Sequence, residues 1–145
     1  MRMEDAVIEQ TSALRYLQLR DAVAMHSETL HRLQRAPEAL RDENLLDSAI
    51  VRPRMASYYE EADLVRQATL LAIAVSQAQA FVDGNKRTAY ASLDVFLRLN
   101  GQMYIGEPIA LAEQLEAVAT RPDSPDAATD RFEAWLREWV GPRAT

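Results

Sequence analysis

Two helix-length apolar segments stand almost back to back in this chain, and they constrain the fold more than any other feature. The first, roughly Ala62 to Gln79, carries Leu64, Val65, Ala68, Leu70, Leu71, Ile73, Ala74 and Val75. The second, roughly Asn85 to Leu99, carries Ala89, Tyr90, Leu93, Val95, Phe96, Leu97 and Leu99. Each is apolar on more than one face, the pattern of a helix enclosed by other helices. Only a short loop, about Ala80 to Gly84, joins them. With 4 Gly and 6 Pro in 145 residues, the chain has little material for the turns of a many-stranded β fold. A hydrophobic content of 48% supplies a core for one domain of this length.

Four further helices surround this pair. Helix one spans about Arg20 to Leu33, with Val23, Met25, Leu30 and Leu33 interrupted by His26, Ser27 and Glu28. Asp42 is positioned to cap a short second helix through Leu45, Leu46, Ala49 and Ile50, which Pro53 ends. Tyr58-Tyr59-Glu60-Glu61 then leads into the first central helix. Gly101 sits where a C′ glycine belongs after the second, and Met103-Tyr104-Ile105 reads as extended. Pro108 suits the first turn of helix five, which continues to about Thr120. Ser124-Pro125 opens helix six, whose apolar stripe is Phe132, Trp135, Leu136, Trp139 and Val140, with the Trp135/Trp139 pair read as packing. The expected architecture is a compact all-α bundle of about six helices forming a single domain over residues 1–145, with residues 1–15 as a loosely packed N-terminal extension.

The formal charge of -6 and pI near 4.9 argue against electrostatically driven, direct nucleic-acid binding. The absence of cysteine excludes disulfides, thiolate catalysis and zinc–thiolate sites, and fits a reducing, cytoplasmic setting. Met1-Arg2-Met3-Glu4-Asp5 is followed by no apolar signal segment, and the longest apolar run, Leu70 to Val75, is too short to span a membrane. His26 and His31, five apart, fall on different sides of a helix and do not read as a metal pair.

Chemistry concentrates in the turn Gln79–Thr88. Phe81 is its one large apolar side chain and reads as the plug that anchors the loop, and Gly84 permits close approach of a ligand to the backbone. The second central helix then begins with free amides at Asn85, Lys86, Arg87 and Thr88, and with the positive end of its dipole. Two cations there oppose the dipole, each at a cost of several tenths of a kcal/mol by order of magnitude. Amides, dipole, Lys86 and Arg87 all favour an anion, and a phosphate is the natural guest. Lys86 is also the only Lys in the chain, against 15 Arg. Asp83 beside a phosphate calls for a cation between them, which Mg²⁺ would supply; an N-cap role for Asp83 is an equal alternative, and two solvated cations on a surface turn are the plain alternative for Lys86 and Arg87.

The run "FVDGNKRTA" resembles the signature loop of the Fic/Doc superfamily, written His-x-Phe-x-(Asp/Glu)-(Gly/Ala)-Asn-(Gly/Lys)-Arg, and Lys at position 86 is typical of its Doc branch of toxin–antitoxin toxins. "LRDAVAMHSETL", "LRDENLLDSAIVRP" and "FLRLNG" resemble neighbouring segments, so the likeness covers roughly residues 16–105. It implies a Fic-like helical bundle whose two central helices are joined by the signature loop, using ATP as co-substrate with Mg²⁺ and transferring AMP or, in the Doc branch, phosphate to a protein hydroxyl. Elongation factor Tu is the implied target class. By the same resemblance, Asp83 would hold Mg²⁺, while Gly84, Asn85, Lys86 and Arg87 would hold phosphates, Arg87 also stabilising charge in transfer. An antitoxin docking a helix in the active-site groove is the implied partner.

Gln79 departs from the family. It stands where the family has the His that accepts the proton of the attacking hydroxyl. A carboxamide has no basic nitrogen near neutral pH, so Gln79 hydrogen-bonds but does not serve as general base. Losing such a base removes about 10²–10⁴-fold in rate. The expectation is a Doc-like transferase impaired by this one position, either through a deliberate inactivating substitution or as a natural nucleotide-binding pseudoenzyme. A non-catalytic helical interaction module is the remaining alternative.

Overall fold

The computed structural model describes residues 14–32, 43–78, 85–120 and 123–143, with side chains of the first segment described to Met25. Among the described residues six helices and two short strands follow in order: α1 (Leu19–Arg32), α2 (Glu43–Glu60), α3 (Leu64–Ala78), α4 (Asn85–Leu99), β1 (Gln102–Tyr104), α5 (Pro108–Thr120), α6 (Pro125–Arg137) and β2 (Val140–Pro142). The all-α reading holds, since the two three-residue strands form the only sheet among the described residues. The expected N-cap Asp42, and most of the N-terminal extension, lie outside the described residues.

α3 and α4 form the centre, as their two-faced apolar patterns require. Among the described residues they share the most extensive helix–helix interface, and α3 also meets α2, α5 and α6, while α4 meets α1, α5 and β1. α3 buries eight residues between Gln67 and Val75. α4 buries Thr88, Ala89, Ser92, Leu93, Phe96 and Leu97, a stripe with the i, i+4, i+8 spacing of one helical face. Phe96, Leu71, Leu93 and Leu97 are fully enclosed, each worth roughly 1.5–3 kcal/mol of transfer free energy. Gln67 is a buried polar exception that is satisfied: its amide donates to the Ala62 carbonyl (2.8 Å) and its oxygen accepts from the Tyr16 hydroxyl (3.0 Å).

The second helix is not short. α2 runs 18 residues and passes straight through Pro53, which the sequence placed at its end. A proline removes one intrahelical donor and crowds the preceding turn. Here its ring lies on the buried face with Leu46, Ala49, Ile50 and Ala56, so core packing carries the helix past it. α2 stops instead where Glu61 takes a left-handed φ of 52°, and Asp63 then caps α3, accepting from the Arg66 amide (2.9 Å).

The end of the sixth helix also differs from expectation. α6 opens as read, with Ser124 accepting from the Ala127 amide (3.2 Å) and Pro125 in the first turn, but it closes at Arg137. Trp139 and Val140 therefore do not continue its stripe. Val140 belongs to β2, which pairs antiparallel with β1 in the register Tyr104↔Val140. Trp135 packs at 5.9 Å from Tyr104 and from Phe132, as a core contact, whereas Trp139 is 42% exposed.

Candidate active site

The first turn of α4 is positioned by what lies just beyond it. Thr88 and Ala89 are fully buried, which fixes the rotation of the helix and leaves Lys86 and Arg87 on its exposed side. The helix begins at Asn85, so the amides of its first turn and the positive end of its dipole face the connection before it. α1, α2 and α6 each carry an acidic residue in that turn, Asp21, Glu43 and Asp126, as the dipole favours. α4, like α3 and α5, carries none there, and its first turn has two adjacent cations, Lys86 and Arg87. The two cations stand against the local dipole at this helix start.

The two cations are held differently. Lys86 forms an ion pair with Glu116 of α5, both side chains being about half exposed (50% and 51%). Arg87 is exposed and has no ion pair among the described residues. Glu116 was not legible in the sequence: it lies 30 positions away on another helix, and no local spacing links the two residues.

Of the residues singled out from sequence, the structure brings Asn85, Lys86 and Arg87 together on one helical turn. Gln79, Phe81, Asp83 and Gly84 lie outside the described residues, in the six-residue connection 79–84 between the end of α3 at Ala78 and the start of α4. Among the described residues no group of three or more His, Cys, Asp or Glu side chains is arranged to hold a metal. Mg²⁺ bound with a nucleotide typically needs only one or two protein carboxylates, the rest of its shell coming from phosphate oxygens and water. The exposed cations of α4 suit those phosphates, and Asp83 is the carboxylate that sequence places next to them.

This arrangement, a central helix pair whose connection leads into a cation-bearing helix start, coincides with a family match. The model of the Fic/DOC family matches residues 16–97, more than half of the chain, and the chain belongs to that family. It is similar to "Toxin Doc" of Mycolicibacterium smegmatis, at 41% identity over 86 residues that cover 57% of this chain and 66% of that protein. It is also similar to "Protein kinase doc" of Escherichia phage P1, at 29% identity over 118 residues that cover 81% of this chain and 92% of that protein.

Proposed function

We propose that this protein is a Doc-like toxin of a bacterial toxin–antitoxin pair, built to transfer phosphate from ATP to a hydroxyl of a target protein in the cytoplasm, and impaired by Gln79. The observation that carries the reading is the exposed Lys86–Arg87 pair on the first turn of a central helix, inside the region that matches the family. The names of the two relatives, a toxin and a protein kinase, support the same class. Elongation factor Tu is the proposed target, and AMP transfer is the competing reaction.

The roles follow from chemistry. Gly84 and Asn85 let the phosphates approach the backbone at the start of α4, and Lys86 contributes a point charge. Arg87 offers a planar set of donors to a phosphoryl oxygen and stabilises charge as transfer proceeds. Mg²⁺, held at Asp83, would neutralise charge on the phosphates. The hydroxyl of the target must lose a proton as it attacks, and Gln79 has no basic site to take it. Binding and orientation therefore remain while proton removal is missing. A partner antitoxin helix docking over this turn would block the same groove.

The test is Gln79→His incubated with purified elongation factor Tu and ATP labelled at either the α- or the γ-phosphate. Label from the γ position, at a rate about 10²–10⁴-fold above the parent, is the expected result. Label from the α position would replace phosphate transfer by AMP transfer. No transfer of either label to elongation factor Tu or to any protein of a bacterial lysate would overturn the transferase reading. Gln79 itself favours a second reading, a nucleotide-binding regulator with no turnover; ATP binding that persists in a Gln79→His protein without activity would select it.

A further inference from the structure

We infer that Glu116 is a built-in counter-ion that competes with the phosphate ligand for Lys86, so that loading the site exchanges an intramolecular ion pair for a lysine–phosphate pair. This rests on the phosphate-binding reading of the α4 start and concerns its regulation. Glu116 follows Leu115, which is buried with Leu111 and anchors α5 in the core. Thr88 and Ala89 anchor α4 in the same way. The two backbones are fixed, so the carboxylate stays in reach of Lys86 whether or not a ligand is present. It supplies the cation-bearing start of α4 with the negative charge that α1, α2 and α6 provide from their own first turns.

An incoming phosphate is negative and meets a lysine already neutralised by a neighbour of like charge to itself. On this reading binding exchanges the Lys86–Glu116 contact for one to phosphate, and the nearby carboxylate repels the ligand. Arg87 is exposed and has no such acidic partner among the described residues. Exposed pairs of this kind are weak, which makes the contact a brake and not a lock. A positioning role for Glu116, in which it holds Lys86 ready for the ligand, makes the opposite prediction, because removing it would then weaken binding.

The experiment is calorimetric titration of Mg·ATP into the full chain and into Glu116→Gln, an isosteric change at a half-exposed site, with circular dichroism to establish that the fold is kept. The expected result is about two- to fivefold tighter binding at low ionic strength, the range of one exposed ion pair. The gain should narrow as salt is raised, shrink in a Lys86→Ala background, and exceed that of Glu113→Gln on the same helix. Unchanged or weaker binding by Glu116→Gln overturns the brake. So does an equal gain in the Lys86→Ala background or from Glu113→Gln, since either would report net charge alone. If neither the parent nor the variant binds Mg·ATP, the phosphate reading falls and the brake with it; if the parent binds and the variant merely matches it, only the brake falls.

Discussion

At Gly101 the backbone takes a φ of +81° immediately beyond α4, and the Gly101 amide closes the helix by donating to the Arg98 carbonyl (3.2 Å). A Cβ there would meet nothing within 4 Å, so the requirement is purely conformational. Gly101→Ala should cost about 1–2 kcal/mol in a urea titration, and Gly101→Asn less; an alanine variant of unchanged stability would contradict the assignment. Gly101 was readable as a C′ glycine because the φ preference is local. The position of Lys86 and Arg87 against the helix dipole was readable for a related reason, since it depends only on where the helix starts. Glu116 shows the limit of such reading: its importance arises from α5 lying beside α4, and no property of residues 108–120 alone reveals that neighbour.

At the scale of elements, local punctuation was trusted too far at Pro53 and was absent at β2. Burial of the proline ring outweighed one lost hydrogen bond, and three residues carry too short a pattern to announce a strand that exists only through its pairing with β1. The corner joining α2, α3 and α6 carries a consequence for pH. Arg137 donates to both Asp63 oxygens (2.9 and 3.2 Å), and the Arg66 amide adds a further bond. The side-chain bonds from Arg137 are the largest influence and hold the Asp63 carboxyl below its ordinary value, against burial, which pushes the other way. A folded-state value below the unfolded one means that the stabilisation is complete above about pH 4 and is lost as pH falls through the folded value. Asp63 is 57% exposed, so solvent screening keeps the effect within about 1 kcal/mol. Asp63→Asn, which can still cap α3, should be less stable than the parent at pH 7, and the gap should close as pH is lowered from 5 to 3. A gap independent of pH would show that the charge contributes nothing.

At the scale of the whole molecule, the central pair α3–α4 was legible because a helix buried on several faces leaves a distinctive pattern. The expectation of a phosphate at the join came from residues 85–87 together with the likeness to a known family. The pairing of Lys86 on α4 with Glu116 on α5 is a product of packing and could be seen only in three dimensions. No described helix is long and apolar enough to cross a membrane. Under the proposed function the start of α4 grips the phosphates of a nucleotide even though Gln79 does not take the proton that turnover requires. Calorimetric titration of Mg·ATP into the chain as it stands, beside the Lys86→Ala/Arg87→Ala double variant, tests it most directly. Saturable binding by the parent, weakened at least about tenfold in the double variant by the loss of two charge-assisted contacts, is the predicted result. No binding by the parent, or equal binding by both, would contradict it.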